Sequence, residues 1–314
     1  MNITITGNLG SGKTSVCNEL KKYGFTIISA GDIFREIAAE KGMTVIELNE
    51  AAKSDRSIDD MLDQRSTQLG KEMDHTVFDS RLAWHFVEKS FKVFLLVDTK
   101  EAARRVFEGN NRSAEVYQNA EEACIGLKTR ARLEQERFSD LYQLNYYDAG
   151  NYDLIIESSC ATPLEIAQEI KRNFELYQSQ PFTAKVELNL RSLYPAGNYN
   201  DMDLGLFDYC RLAEQKNSAS LCALEPVSIT VKHGYNYVLG APHSVFAAAA
   251  AGKVFTEVKG IQMDEKAQEA VMPLPEDELK KFEQAGQFQY TCNPAVTAEK
   301  SGYMLDFSNS IFCG

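Results

Sequence analysis

An α/β fold is predicted: a parallel sheet with helices on both faces, followed by a smaller α+β unit. Three observations carry this. Short, fully apolar runs alternate with stretches of 3.6-residue periodicity through the first half of the chain, the pattern of parallel strands covered by helices. A polar stretch, "ELYQSQPF", then ends in Pro-Phe and reads as a linker near residues 176–183. Beyond it the chain is richer in tyrosine, asparagine and proline, and its elements are shorter. Two units are therefore expected, residues 1–175 and residues 183–314.

Taken in order, the strands of the first unit are expected at Asn2–Thr6, Phe25–Ser29, Thr76–Asp79, Val93–Asp98 and Asp153–Glu157. Helical periodicity lies between them, over Thr14–Lys22, Gly31–Lys41 and Ala120–Tyr142. Bulk properties bound the rest. A 314-residue chain with 44% hydrophobic and 25% charged residues is ordinary for a globular protein with two cores. Its net charge of −12 argues against nucleic acid or an anionic membrane as partner. Seven dispersed cysteines with no CxxC pair read as reduced thiols in a cytoplasmic protein. Neither a signal peptide nor a run of about 18 apolar residues is expected to direct it elsewhere. The four histidines form no pair at metal-ligand spacing.

The stretch "GNLGSGKTS" at 7–15 follows the first strand and opens a helix. It matches G-x-x-x-x-G-K-[ST] as Gly7, Gly12, Lys13 and Thr14, in the context that motif requires. Gly7, Gly10, Ser11, Gly12, Lys13, Thr14 and Ser15 form the candidate phosphate cradle. Its backbone N–H groups point at phosphate oxygens, and its glycines let the chain curl closely. Lys13 reaches the β- and γ-phosphates of a nucleoside triphosphate, and the Thr14 hydroxyl is the candidate ligand for Mg²⁺. No Asp-x-x-Gly segment is evident, so Thr14, phosphates and water are expected to hold the metal.

Phosphoryl transfer needs positioning and charge neutralisation more than covalent help. Arginines from several segments are therefore expected. Arg35 lies just inside the helix after the second strand, and Arg81 just past the third. Both stand at the carboxyl edge of a parallel sheet, where ligands bind. Arg130, Glu134 and Arg137 fall at i, i+4 and i+7 on one helical face. Ion pairs on a solvated amphipathic helix would give the same spacing.

Four further segments complete the pattern: "SAGDIFRE" at 29–36, "VFDSRLAWHF" at 77–86, "RRVFEGNNR" at 104–112 and "YDLIIESS" at 152–159. On these, residues 1–172 resemble the nucleoside monophosphate kinases of the cytidylate kinase family, especially the short archaeal-type branch. The resemblance implies ATP as donor, Mg²⁺, and CMP or dCMP as acceptor. It implies that Ser29, Asp32 and Arg35 line the monophosphate pocket and that Arg81 holds the acceptor phosphate. It makes Lys13, Arg35, Arg81, Arg130 and Arg137 the catalytic set, with Glu134 and Arg137 reading the cytosine edge. Arg105 and Arg112, at the entry to a mobile lid, are implied to meet ATP phosphates. Asp59, Asp63 and Arg65 in "SIDDMLDQRS" match the segment covering the acceptor base. Ser80 stands where archaeal members carry glycine.

The second unit offers less. "EPVSITVKHGYNYVLGAPHSVFAAAAAGKVFTEVKG" reads as a strand ending at Val231, a turn at His233-Gly234 and a strand Tyr235–Leu239. A small-residue helix closed by Gly252 and a strand Val254–Val258 follow. The order resembles the ParB/sulfiredoxin-like fold, with "LRSLYPAGNYND" as its opening segment. That family's phosphate-binding trio ends in arginine; Pro242-His243-Ser244 lacks the guanidinium fork, so the fold is expected without its catalysis. Three functions stay open at this point. The chain is a (d)CMP kinase with nucleotides as its partners, a non-catalytic nucleotide-sensing regulator, or a kinase of another small acceptor.

Overall fold

The computed structural model describes residues 1–52, 54–109, 117–195, 226–232, 235–239, 248 and 253–262. Strand β1 (Asn2–Gly7) runs into helix α1 (Lys13–Lys21), and β2 (Thr26–Ser29) into α2 (Ala30–Glu40). Two further helices, α3 (Val45–Ala51) and α4 (Ser57–Glu72), precede β3 (Thr76–Asp79) and the short α5 (Ala83–Phe86). Strand β4 (Ser90–Leu96), helices α6 (Thr99–Glu108) and α7 (Ala120–Tyr142), β5 (Leu154–Glu157) and α8 (Pro163–Ser179) follow. The remaining described strands are β6 (Lys185–Asn189), β7 (Leu193–Pro195), β8 (Val227–Lys232), β9 (Tyr235–Leu239) and β10 (Phe255–Gln262).

These strands form one mixed sheet in the order β2-β3-β1-β4-β5-β6-β10-β8-β9-β7. The first six, β2 to β6 in that order, are mutually parallel. Strand β10 joins β6 antiparallel, with Glu257 opposite Glu187. From β1 the chain first steps to one side, forming β2 and β3, and then to the other, forming β4, β5 and β6. The carboxyl end of β1 is therefore the switch point where open α/β sheets leave a crevice.

Alternate residues along each strand feed opposite cores. Ile3, Ile5, Val93, Leu95, Leu154 and Ile156 pack under α1 and α8. Phe94, Leu96 and Ile155 face the other way, under α6 and α7, in a core that continues to Val186, Ile229 and Val258. Helices thus cover both faces, as the uninterrupted apolar runs require. Strand β4 starts three residues earlier than expected, because Phe91 enters the α1–α8 core although Lys92 interrupts the apolar run. Helices α2, α3 and α4 form a satellite cluster around Ile33, Ile37, Leu48 and Ile58. Arg112, the His233-Gly234 turn and the Pro242-His243-Ser244 trio lie outside the described residues, as does the alanine-rich stretch before Gly252 apart from Ala248.

Candidate active site

The glycine-rich loop leaves β1 at the switch point, and its backbone explains its composition. Gly10 and Gly12 sit at φ of +77° and +84°, where any Cβ is strained. A Cβ on Gly7 would lie 2.6 Å from the Leu95 carbonyl oxygen. Gly12 is the N-cap of α1 and contributes no side-chain cap, so the helix's first N–H groups remain available to an anion. Asn8, fully buried, braces the loop: its Oδ1 accepts from Val97 N at 3.2 Å, and its carbonyl accepts from Ser11 N at 3.2 Å. Ser11 is itself buried, and its Oγ has no partner among the described residues.

Lys13 folds back so that Nζ donates to the Gly7 carbonyl at 3.4 Å. Burial and the nearby Arg81 guanidinium lower its ammonium to about 8, against the opposing pull of Asp79 and Glu134. The Thr14 hydroxyl donates to Asp79 Oδ2 at 3.3 Å. Asp79 ends β3, in register with Ser29 at the end of β2. A hydroxyl and a carboxylate are the hard oxygen donors Mg²⁺ takes, beside phosphate and water. Among the described residues no cluster of three or more His, Cys, Asp or Glu could bind a metal by itself. The residues present therefore fit a cation shared with phosphate oxygens.

Beyond the loop the arginines gather, each on an acid. The Thr6 hydroxyl donates to the Ser80 carbonyl at 3.1 Å, which fixes the turn carrying Arg81 beside β1. Arg81 Nε donates to Glu134 Oε2 at 2.6 Å, and Arg130 Nε to Glu134 Oε1 at 3.1 Å. Glu134 thus bridges two guanidinium groups, with Lys13 close by. Arg137 grips both oxygens of Asp59 on α4, at 2.9 and 2.6 Å. Arg35 pairs with Asp32 at 2.5 Å. Asp32 and Ser29 also form the capping box that starts α2. Hydrogen bonds from Ser29 hold the Asp32 carboxyl below its ordinary range. Arg132 points elsewhere, to Glu136 at 2.7 Å.

Arg105 has a bracing role. Its Nη2 donates to the Ser158 and Ser159 carbonyls at 2.7 and 2.9 Å, its Nη1 to Gly10 O at 3.5 Å, and its Nε to Glu101 at 2.8 Å. It ties the phosphate loop to the turn after β5.

On the α2 side, an open groove of about 830 Å³ runs between α2, α4 and α7, lined by Phe34, Asn49, Arg56, Asp59, Leu62 and Arg137. Next to it, Tyr142 donates to Asp63 at 2.7 Å. Burial raises Asp63 to about 6, opposed by that hydrogen bond. A cleft of similar volume, about 840 Å³, opens at the amino edge of the sheet around Asn2, Met73, Ser90 and Tyr177. It gathers no arginine and lies at the end of the strands opposite the phosphate loop.

Asp79, Asn8 and the turn after β5 escaped the sequence reading. Asp79 had one signal, an acid closing an apolar strand one step from the arginine turn. Asn8 occupies an unspecified motif position and is informative only once Val97 is known to lie against it.

A model of the "Cytidylate kinase-like family" matches residues 2–160. The chain is 37% identical over 160 residues to a "Cytidylate kinase" of Methanocella arvoryzae, covering 51% of this chain and 88% of that one. It is 30% identical over 186 residues to an "S-adenosylmethionine-dependent nucleotide dehydratase" of Lacinutrix mariniflava, covering 59% of this chain and 37% of that protein. Among solved structures, shikimate kinase from Bacteroides thetaiotaomicron aligns over 57% of this chain and 98% of that one, with 16% identity and a TM-score of 0.39.

Proposed function

The chain belongs to the cytidylate kinase-like family, and from that premise we propose that it transfers the γ-phosphoryl group of ATP to a nucleoside monophosphate, with CMP or dCMP as acceptor. One observation carries the reading. A phosphate loop with Lys13 and Thr14 stands at the switch point and faces a second anion site built from Arg81 and Arg130. Two phosphate-binding arrays meeting over one strand end are what in-line transfer between two nucleotides needs. A nucleotide sensor needs only the first array.

In this reading the donor phosphates rest on the loop and the α1 N-terminus, with Lys13 neutralising charge that develops on the transferred group. Thr14 and Asp79 would hold Mg²⁺ together with phosphate oxygens, and the ion would supply further charge neutralisation and alignment. Arg81 and Arg130 exchange part of their hold on Glu134 for the acceptor phosphate. Arg35 stands over the same phosphate from α2. The acceptor's nucleoside occupies the groove beside Phe34, Asp59 and Arg137. No residue has to act as a strong base, because a phosphate oxygen is already nucleophilic.

The test is ADP release from ATP and Mg²⁺ across a panel of nucleoside monophosphates and small alcohols. CMP and dCMP are expected to lead the panel. Release with a non-nucleotide alcohol alone would replace the acceptor, and release with none would favour a sensor.

A further inference from the structure

Glu157 closes β5 at the carboxyl edge of the sheet and is fully buried, yet among the described residues no arginine or lysine donates to it. Burial raises its carboxyl above the ordinary range, opposed by hydrogen bonds from Ser159 and Asn189. One oxygen accepts the Ser159 backbone N–H. The other accepts Asn189 N at 3.3 Å and lies 3.4 Å from Ser192 Oγ, whose hydroxyl donates to the Asn189 carbonyl at 2.8 Å. Arg191, between those two, sends Nη1 to the Cys160 carbonyl at 3.0 Å and Nη2 to Glu165 at 3.1 Å. The turn Ser158–Cys160 is therefore held from both sides. Arg105 grips it from α6 and ties it to the phosphate loop, and residues 189–192 grip it from the end of β6.

Residues 189–192 lie beyond the family-matched region 2–160. They reach the site because β6 extends the parallel sheet next to β5, which brings its carboxyl end to the ligand-binding edge. The direction of the nucleotides follows from strand order. Arg35 and Arg81 follow β2 and β3 on one side of the loop, so the acceptor lies there. A donor whose phosphates rest on the loop must place its nucleoside on the other side, over the ends of β4, β5 and β6. The clamp also leaves a buried polar atom, Asn189 Nδ2, without a partner among the described residues. Such a group costs stability.

We infer that residues 189–192 are a positioning element of the ATP half of the site, acting through Glu157 and the Ser158–Cys160 turn. The inference rests on reading the phosphate loop as an ATP site. Removing the clamp should loosen the donor nucleoside and leave the acceptor side and the α2–α4 cluster untouched.

The experiment uses the full chain. Calorimetry measures affinity for a non-hydrolysable ATP analogue in wild type, Arg191→Ala, Arg191→Lys and Ser192→Ala; steady-state kinetics give KM for ATP and for CMP. Arg191→Ala should weaken analogue binding and raise the KM for ATP by about tenfold, the scale of one charge-assisted hydrogen bond. The KM for CMP should stay within about twofold of wild type, a spread well under one such bond. Arg191→Lys should recover part of the loss. Ser192→Ala, a smaller change, should show the same split if Arg191→Ala fails to fold. Unchanged analogue affinity in folded variants would overturn the inference while leaving the kinase reading intact. Equal weakening of both ligands would reduce the clamp to general stability. Failure of wild type to bind the analogue would sink the ATP site itself and the inference with it.

Discussion

Lys13 carries the sharpest expectations at the level of single residues. Lys13→Ala should remove on the order of 3 kcal/mol of transition-state stabilisation, roughly a hundredfold or more in turnover. Near-normal turnover in a folded variant would end the phosphate-loop assignment. Burial and Arg81 bring the Lys13 ammonium down to about 8, and only the protonated form attracts phosphate. The kcat/KM for ATP should therefore fall as pH rises through about 8. With saturating ATP the limb should move to higher pH, because bound phosphate favours the proton. Glu134 is expected to act on phosphate geometry, since both its oxygens are engaged by guanidinium groups. Glu134→Gln should lower kcat/KM for CMP and UMP alike, by about tenfold or ~1.4 kcal/mol. A loss confined to CMP would instead put this carboxylate on the base, the role that the family resemblance implies. Arg35→Ala should raise the acceptor KM and spare binding of an ATP analogue; equal weakening of the two would mean the pockets are misassigned. Features local in sequence were legible here: the loop glycines with their positive φ, and the place of Arg81 two residues past a strand. Asp79 was not, because its link to Thr14 joins positions 65 residues apart.

Among the elements, β6 shows what periodicity conceals. "KVELN" alternates charge and follows a polar linker, so nothing in it suggests a central strand. Its acid is nonetheless buried and supplied with partners from α8 and its own strand. Asn173 Nδ2 donates to both Glu187 oxygens at 3.2 and 3.1 Å, Arg172 Nη2 donates at 3.1 Å, and Lys185 Nζ lies 2.8 Å away. Glu187→Ala takes the buried carboxylate from Lys185, leaving that mostly buried ammonium the Asn173 amide oxygen at 2.8 Å and the partly exposed Glu257 at 3.5 Å, and should cost about 3 kcal/mol, as breaking a buried pair does. Urea denaturation measures it, and a loss below about 0.5 kcal/mol would make the cluster a solvated one. Burial and neighbouring Glu169 raise the Glu187 carboxyl from its ordinary 4.5 to about 7. The folded state then binds the proton more tightly than the unfolded one, so stability should fall as pH rises from about 4.5 to 7. Glu187→Gln should flatten that slope. By contrast, α7 was legible to its ends, since an apolar stripe at Ala123, Leu127 and Ala131 repeats every four residues.

Across the whole molecule, the alternation of apolar strands and helices was enough to foresee the parallel sheet and its covered faces. What it could not convey was that the sheet runs on past residue 183, because β6 and β10 pair through positions far apart in the chain. Trp84 belongs to this larger arrangement. It is the single tryptophan of the chain, 5% exposed, three residues after Arg81, with its ring against Tyr152 at 5.7 Å and His85 at 5.5 Å. A lone indole shielded from water emits at short wavelength, and its intensity follows the charges and rings around it. The protein thus carries an optical probe of the turn bearing Arg81 that needs no label. Titrating CMP should change the emission in step with acceptor saturation, whereas an ATP analogue, seated across the sheet, should change it far less. A flat fluorescence trace at CMP concentrations that support turnover would mean that the turn bearing Arg81 stays still when the acceptor arrives.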